Sequence, residues 1–167
     1  MPPFDYDVPF WGKPPLTFWL TAISFKLFGY SEFAARLPVF LLAGLALWLS
    51  YCFAKVILGA KKAAFSSTVL ISTALFFIAS GAVMTDMALC LCISLSMISF
   101  WHALNNPDEQ QARKWSYLFF AGLGFGLLVK GPMVGVLVLL PLFAWVILEK
   151  QWLATWLKVP WFKGSAL

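Results

Sequence analysis

The sequence predicts an all-α, polytopic transmembrane helix bundle, with about five spanning helices and one juxtamembrane amphipathic helix. Hydrophobic residues make up 62% of the 167 residues and charged residues only 11%, whereas a soluble domain carries about 25% charged residues. The mean hydropathy is +0.85. Most of the cations behind the +5 net charge flank long apolar runs. They therefore indicate membrane orientation, and no nucleic-acid partner is expected.

We expect residues 1–167 to form a single, partial transmembrane domain. Its predicted parts are an outer loop at 1–13, a surface helix at 14–29, spans within 32–150, and an interfacial segment leading into a truncated helix at 151–167. The chain begins like the middle of a loop, without a signal-peptide pattern. It stops where a new apolar run begins. We therefore expect a fragment that lacks an upstream helix and a long downstream region.

The first predicted helix, at residues 15–28, is short. At 1.5 Å per residue it would be ~21 Å long, less than the ~30 Å of a hydrocarbon core. Pro15 suits its first turn, because the missing N–H would be unpaired there in any case. Lys26 lies inside it, and aromatic residues that favour the membrane interface surround it. We expect this helix to lie in the membrane surface, with a short span as the alternative.

The remaining elements are predicted from the apolar runs and from the capping, Gly and Pro residues between them. Ser31 is expected to cap the next helix, and Glu32 to pair with Arg36 at i,i+4 spacing. Gly122 and Gly126 form a small-xxx-small pair, which favours a helix contact. The spans are predicted at 37–58, 63–81, 86–104, 115–129 and 133–148, with a polar loop at 105–114 and a tight break at 130–132.

The distribution of cations predicts which helix ends face the cytoplasm. Three basic positions follow the first, third and fifth predicted spans and therefore lie on the same side of the membrane. They are Lys61 with Lys62, Arg113 with Lys114, and Lys150. If these loops are cytoplasmic, Asp86 and Lys130 share the outer face. Arg36 starts from that face too, and so does Lys13 if the helix at 15–28 does not cross.

Asp86 is the main catalytic candidate, because it is the only carboxylate between Glu32 and Asp108. A charge at the mouth of a spanning helix is costly and usually functional. Lys13 and Lys130 stand beside Gly/Pro breaks and would bind the phosphate of a lipid, since lysine acts on phosphate as a compact point charge. Taken singly, each lysine could equally snorkel to lipid headgroups.

The loop carboxylates Asp5 and Asp7 are further candidates. They could contact a cation or a sugar hydroxyl, although solvated loop charge is the favoured interpretation. Asp86 could accept sugar hydroxyls, hold a metal or take a proton. The cofactor therefore stays open, with a divalent metal as one option.

Several segments, read in order, resemble the lipid A aminoarabinose transferase and protein O-mannosyltransferase superfamily of GT-C glycosyltransferases. They are GKPPL at 12–16, FGYSE at 28–32, ARL at 35–37, TDMAL at 85–89 and GFGLLVKGP at 124–132. The resemblance implies an outer-face active site in which Lys13 and Lys130 contact the lipid-linked phosphate and Asp86 belongs to the acidic site. Arg36 matches a family position of less defined role. Gly12 stands where the aminoarabinose enzymes carry Glu.

These observations predict a fragment of a glycosyltransferase that moves a sugar from a polyprenyl-phosphate donor to a lipid or protein acceptor. We expect it in the bacterial inner membrane, in contact with membrane lipids and active on the extracytoplasmic face. The fragment is expected to be catalytically incomplete. The alternatives are a transporter or channel module, whose charges would lie deep within broken helices, and a non-catalytic membrane scaffold.

Overall fold

A computed structural model describes residues 4–5, 8–9 and 15–148, and nearly all of them are helical. The helices are α1 (Leu16–Phe28), α2 (Glu32–Leu58), α3 (Ala60–Ser72), α4 (Ala74–Gly81), α5 (Asp86–Asn105), α6 (Glu109–Lys130) and α7 (Met133–Leu148). The predicted helical class is confirmed. One addition is a short antiparallel pair, β1 (Phe4–Asp5) with β2 (Val8–Pro9), inside the predicted outer loop. The predicted interfacial segment at 151–167 lies outside the described residues.

Among the described helices, α2 and α5 are each long and apolar enough to cross a membrane. They have 27 and 20 residues, with hydropathies of 2.0 and 1.8. The pair α3 and α4 meets the same criterion only when taken together, and α1 and α7 are shorter apolar helices. Length and composition thus support two crossings, or three if the bent pair counts as one, compared with the five that the sequence predicts.

The start and the end of α2 both follow from single residues. Ser31 caps the helix as predicted, with its hydroxyl accepting a hydrogen bond from the Ala34 N–H at 3.2 Å. Glu32 and Arg36 form the predicted ion pair. The helix ends at Gly59, which has a φ of 82° and donates its N–H to the Lys55 carbonyl at 3.1 Å. A positive φ is costly for residues other than glycine, so the chain turns there.

The predicted span at 63–81 is not one continuous helix. The helix breaks at Thr73, and α3 and α4 meet at an angle of 67°. The hydroxyls of Ser72 and Thr73 donate to the Val69 carbonyl at 2.8 and 3.1 Å. The Thr73 N–H bonds to the Leu70 carbonyl instead. Side-chain hydroxyls that capture a backbone carbonyl offer an alternative to the regular helical bond, and here they accompany the bend.

The prediction of a polar loop at 105–114 is also wrong in extent. The segment between α5 and α6 covers only residues 106–108, and the charged residues after it already belong to α6. Asp108 caps this helix, because its Oδ1 accepts a hydrogen bond from the Gln110 N–H at 2.9 Å. A good N-cap allows a polar turn to extend the helix beyond its apolar stretch.

The chain divides into two compact units, Met1–Leu91 with Leu128–Lys130 and Cys92–Leu127 with Gly131–Leu167. The first unit has a small core in which α2, α4 and α5 meet. Its members are Val39, Ala43, Ala79 and Met87, with Phe76 packed against them. Because Met87 is buried in this cluster, the first turn of α5 is held against α2 and α4. The neighbouring Asp86 is therefore held in a defined place.

The second unit contains the glycines of the predicted helix contact, and the contact is confirmed. A Cβ on Gly122 would lie 2.5 Å from Ser96 Oγ of α5, and a Cβ on Gly126 would lie 2.5 Å from Val134 Cγ2 of α7. The two glycines therefore admit two different helices. Phe100 packs nearby in the same unit against Phe119, with ring centroids 5.6 Å apart.

Candidate functional site

The structure brings Asp86 and Lys130 together as an ion pair between residues 44 positions apart in the chain. Asp86 is the first residue of α5 and Lys130 the last residue of α6. The Lys130 side chain is 37% exposed and that of Asp86 49% exposed. Both groups can thus reach a bound molecule while they remain in contact.

Each of these charges lies where its own helix stabilises it. The N-terminus of a helix carries partial positive charge and favours a carboxylate, while the C-terminus favours a cation. The turn before α5 is held by the Met84 N–H, which donates to the Ala82 carbonyl at 2.8 Å. The α5 helix then begins with the Leu89 N–H bonded to the Thr85 carbonyl at 3.1 Å. Asp86 is accordingly positioned by both the turn and the helix.

Asp86 and Lys130 stand on the wall of a cavity of about 440 Å³. Helices α1 and α2 and the turn before α5 supply the rest of the wall. Hydroxyl groups and the ion pair make up its polar part, and apolar side chains make up most of the remainder. The lining residues are Thr17, Phe18, Leu20, Thr21, Pro38, Val39, Leu42, Val83, Met84, Thr85, Asp86 and Lys130. Such a wall suits a molecule that has both a charged and an apolar part.

A second cavity, of about 270 Å³, lies between α1 and α2. It shares Leu20, Pro38 and Leu42 with the first cavity, so the two adjoin. Its described lining is apolar apart from Ser24, whose hydroxyl is already bonded within the protein. The charged cavity thus has an apolar groove beside it.

Among the other predicted site residues, only Arg36 has a described side chain, and it is not placed with this pair. Arg36 is bonded to the exposed Glu32, and neither residue is among the described residues that line the cavity. Asp5 belongs to β1, but its side chain lies outside the described part of the structure. Asp7 and Lys13 lie outside the described residues altogether. Their roles stay predictions.

Sequence reasoning missed the contribution of α1 to the cavity. Thr17, Leu20 and Thr21 recur at helical spacing on one face of α1 and line the wall. Ile23 and Leu27, which are 56% and 70% exposed, line the second cavity. The i,i+3,i+4 spacing of Thr17, Leu20 and Thr21 could have indicated that these residues share one face of α1.

The chemistry that the described site offers is one carboxylate paired with one ammonium group. A lysine has three N–H donors, so Lys130 can hold a phosphate oxygen without leaving Asp86. Within 4–5, 8–9 and 15–148, no group of three or more His, Cys, Asp or Glu residues could hold a metal ion. The identity of any metal thus stays open, as it does from the sequence.

A family model for dolichyl-phosphate-mannose-protein mannosyltransferases matches residues 2–165. The chain belongs to this family. The resemblance seen in the sequence motifs, to the superfamily that joins these enzymes with the lipid A aminoarabinose transferases, is confirmed.

Curated relatives are named undecaprenyl phosphate-α-4-amino-4-deoxy-L-arabinose arabinosyl transferases. The protein from Wigglesworthia glossinidia brevipalpis is 28% identical over 149 residues, which cover 89% of this chain and 26% of the relative. One from Proteus mirabilis is 31% identical over 140 residues, which cover 81% of this chain and 25% of the relative. The chain therefore spans about a quarter of the length of the relatives that it matches.

The fold is similar to that of a solved family member. The crystal structure of ArnT from Cupriavidus metallidurans, bound to undecaprenyl phosphate, superimposes with a TM-score of 0.89 at 26% identity. The match covers 96% of this chain and 30% of ArnT. This chain thus has the fold of the part of ArnT that it matches.

Proposed function

We propose that this chain is part of an integral-membrane glycosyltransferase, and that it supplies donor-binding and catalytic residues with which the full enzyme transfers a sugar from polyprenyl phosphate to a lipid acceptor. The observation that carries the proposal is the Asp86–Lys130 ion pair on the wall of a cavity that is part polar and part apolar. The names of the relatives support an undecaprenyl-phosphate donor and an aminoarabinose sugar. The undecaprenyl phosphate bound to ArnT supports the same class of donor.

In this reaction the bond between the anomeric carbon of the sugar and a phosphate oxygen breaks. The polyprenyl phosphate leaves with the bonding electrons and gains negative charge, which a fixed cation stabilises. We assign this role to Lys130, with Lys13 as the second cation. A new bond forms between the anomeric carbon and an acceptor oxygen, which loses its proton. Asp86 would take that proton or support the oxocarbenium-like centre.

The proposed site faces the extracytoplasmic side of a bacterial inner membrane. The orientation counts the bent pair α3 and α4 as one crossing. It rests on Lys61, Lys62, Arg113 and Lys114, which mark the cytoplasmic ends under the positive-inside rule. Arg36, Asp5 and Asp7 remain further candidates for contact with the sugar or with a cation. A divalent metal remains an option for the acidic part of the site.

The test uses the full-length protein that contains this segment. Lys130→Ala removes a hydrogen bond to a charged group, which is worth ~1.5–3 kcal/mol, so the donor should bind about 10- to 150-fold more weakly. Asp86→Asn keeps the shape of the side chain but loses its charge, and kcat should fall while membrane insertion is unchanged. Lys61→Ala, at an exposed position of α3, is the matched control. Unchanged binding of labelled polyprenyl phosphate to Lys130→Ala would end the proposal.

A labelling experiment tests the predicted side of the membrane. All native cysteines of the full-length protein are replaced, including Cys52, Cys90 and Cys92 of this segment. Single cysteines are then introduced by Lys13→Cys and Lys61→Cys. An impermeant maleimide added to intact cells, with the outer membrane permeabilised, should label the first variant and spare the second. Labelling of Lys61→Cys alone would reverse the orientation and remove Lys13 from an outer site.

The transporter alternative is addressed by the broken helix. A transport module would place charged residues or free backbone groups at such a break. The described break at Thr73 instead carries two hydroxyls, both bonded to the Val69 carbonyl, and no charged residue.

The scaffold alternative predicts that replacing both Asp86 and Lys130 leaves transfer intact, so the double variant separates it from the proposed function.

A further inference from the structure

Helix α2 carries a proline in its second turn, and this leaves a backbone carbonyl without its regular partner. The Ala34 carbonyl would normally accept the N–H of residue 38, but Pro38 has no N–H. Ala34 is 0% exposed. A buried carbonyl without a hydrogen bond is costly, above all where lipid excludes water. Some other donor is therefore needed.

Ser24 of α1 supplies that donor. Its hydroxyl donates to the Ala34 carbonyl at 2.5 Å, and its residue is 4% exposed. Other helical hydroxyls, such as that of Thr21, donate to a carbonyl one turn earlier in their own helix. The Ser24 bond instead joins two helices. It thus compensates for the proline in α2 and ties α1 to it.

The bond lies on the face of α1 that forms the cavity wall. Thr17, Leu20 and Thr21 precede Ser24 by seven, four and three positions, which places all four on one helical face. On α2, Pro38 and Leu42 follow Ala34 on the same face and line the same cavity. The tie between the helices is therefore built into the wall itself.

The connection between the two helices holds only the far end of α1. Gly29 ends α1 with a φ of 76°, and its N–H donates to the Phe25 carbonyl at 2.9 Å. Tyr30 packs on Phe25, with ring centroids 5.2 Å apart. These contacts, together with the packing of Phe28 on Phe33, hold the two helix ends against each other. The Ser24 bond joins α1 to α2 more than one turn nearer to the cavity.

We propose that Ser24 is a positioning residue for donor binding, which acts by holding α1 against α2 through the carbonyl that Pro38 leaves unpaired. The inference rests on the proposed function, since the donor is what the wall would bind. Ser24 holds the helix that presents Thr17 and Thr21, and it needs no contact with the reacting atoms. Loss of its hydroxyl should loosen the wall and weaken donor binding without a matching loss of turnover.

A double-mutant cycle in the full-length enzyme tests this role. Ser24→Ala should raise the KM for the donor about tenfold, because α1 is no longer held in the position that binds the donor, with kcat within about twofold of the parent. Ser24→Thr keeps the hydroxyl and should restore KM. Pro38→Ala returns an N–H to the Ala34 carbonyl, so adding Ser24→Ala in that background should change KM less than about twofold. Equal effects in both backgrounds, or none in the parent, would overturn the proposal.

A second measurement is independent of activity. In a background without native cysteines, Leu20→Cys is labelled with a membrane-permeant maleimide, because residue 20 lines both cavities. Ser24→Ala should speed this labelling several-fold, and Ser24→Thr should not. An unchanged rate would overturn the tie between α1 and α2.

The outcomes also separate this inference from the proposed function. If the parent enzyme fails to bind labelled polyprenyl phosphate, the proposed function fails, and the positioning role for the donor is overturned with it. If the parent binds the donor but Ser24→Ala leaves KM unchanged, only the positioning role is overturned.

Discussion

Replacing Gly122 with alanine should destabilise the second unit, whereas the same replacement at Gly124 should not. A Cβ on Gly122 would lie 2.5 Å from Ser96 Oγ and 3.3 Å from both the Cys92 carbonyl oxygen and the Ser96 nitrogen. Two of these atoms belong to the backbone of α5, so rotation of a side chain cannot relieve the whole clash. A Cβ on Gly124 would meet nothing within 4 Å.

The magnitude follows from two opposing contributions. Overpacking a close contact costs ~1–3 kcal/mol, and alanine is favoured over glycine in a helix by ~0.8–1 kcal/mol. The helix propensity gain applies equally to both variants and cancels in their comparison. We therefore expect Gly122→Ala to have a free energy of unfolding about 1–3 kcal/mol below that of Gly124→Ala.

The assay is reversible denaturation of the full-length protein in detergent, followed by tryptophan fluorescence. Ser96→Ala serves as a second-site test, because it removes the atom closest to the new methyl group and also its hydrogen bond to the Cys92 carbonyl. In the Ser96→Ala background, part of the penalty of Gly122→Ala should disappear. Equal stability of Gly122→Ala and Gly124→Ala would refute the close approach of α5 and α6.

Two further predictions concern single residues. Gly131 follows Lys130 with a φ of 65° and a ψ of −148°, a conformation essentially restricted to glycine. Gly131→Ala should therefore lose ~1–3 kcal/mol of stability and, by displacing the neighbouring Lys130, weaken donor binding. Denaturation and binding of labelled polyprenyl phosphate measure the two effects, and unchanged values for both would contradict the prediction. Ser99 is 0% exposed, and its hydroxyl has no partner among the described residues. Ser99→Ala should therefore leave the free energy of unfolding unchanged or raise it in the same assay, because no hydrogen bond is lost and a buried polar group is removed. A loss above ~1 kcal/mol would contradict this, since it would mean that the Ser99 hydroxyl has a partner.

The alternation of the basic loops predicted that Asp86 and Lys130 share the outer face, and the structure shows that they also form an ion pair. Counting spans places residues on one side of a membrane, and nothing more. The same count placed Arg36 on the outer face, but the structure pairs it with Glu32, and neither residue is among those that line the cavity. Side and position are thus separate properties, and only the first is readable from charge patterns.

The break between α3 and α4 shows why a hydropathy pattern can mislead. An apolar run without charges predicts a continuous helix, and the run at 63–81 has no proline to interrupt it. The interruption comes from Ser72 and Thr73, whose hydroxyls compete for the Val69 carbonyl. Serine and threonine are also common inside straight membrane helices, so their presence alone does not decide between the two conformations.

The sequence by itself determined the helical class, most helix ends and the family, because an apolar chain must bond its backbone within helices and because Gly, Pro and capping residues mark where they stop. The tertiary structure alone decided which faces meet. Ser24 reaches the Ala34 carbonyl, and Gly122 and Gly126 admit different helices. These contacts depend on the rotation of each helix about its axis and on its distance from the next helix. Apolar runs specify neither quantity, because in lipid almost every face of such a helix is acceptable.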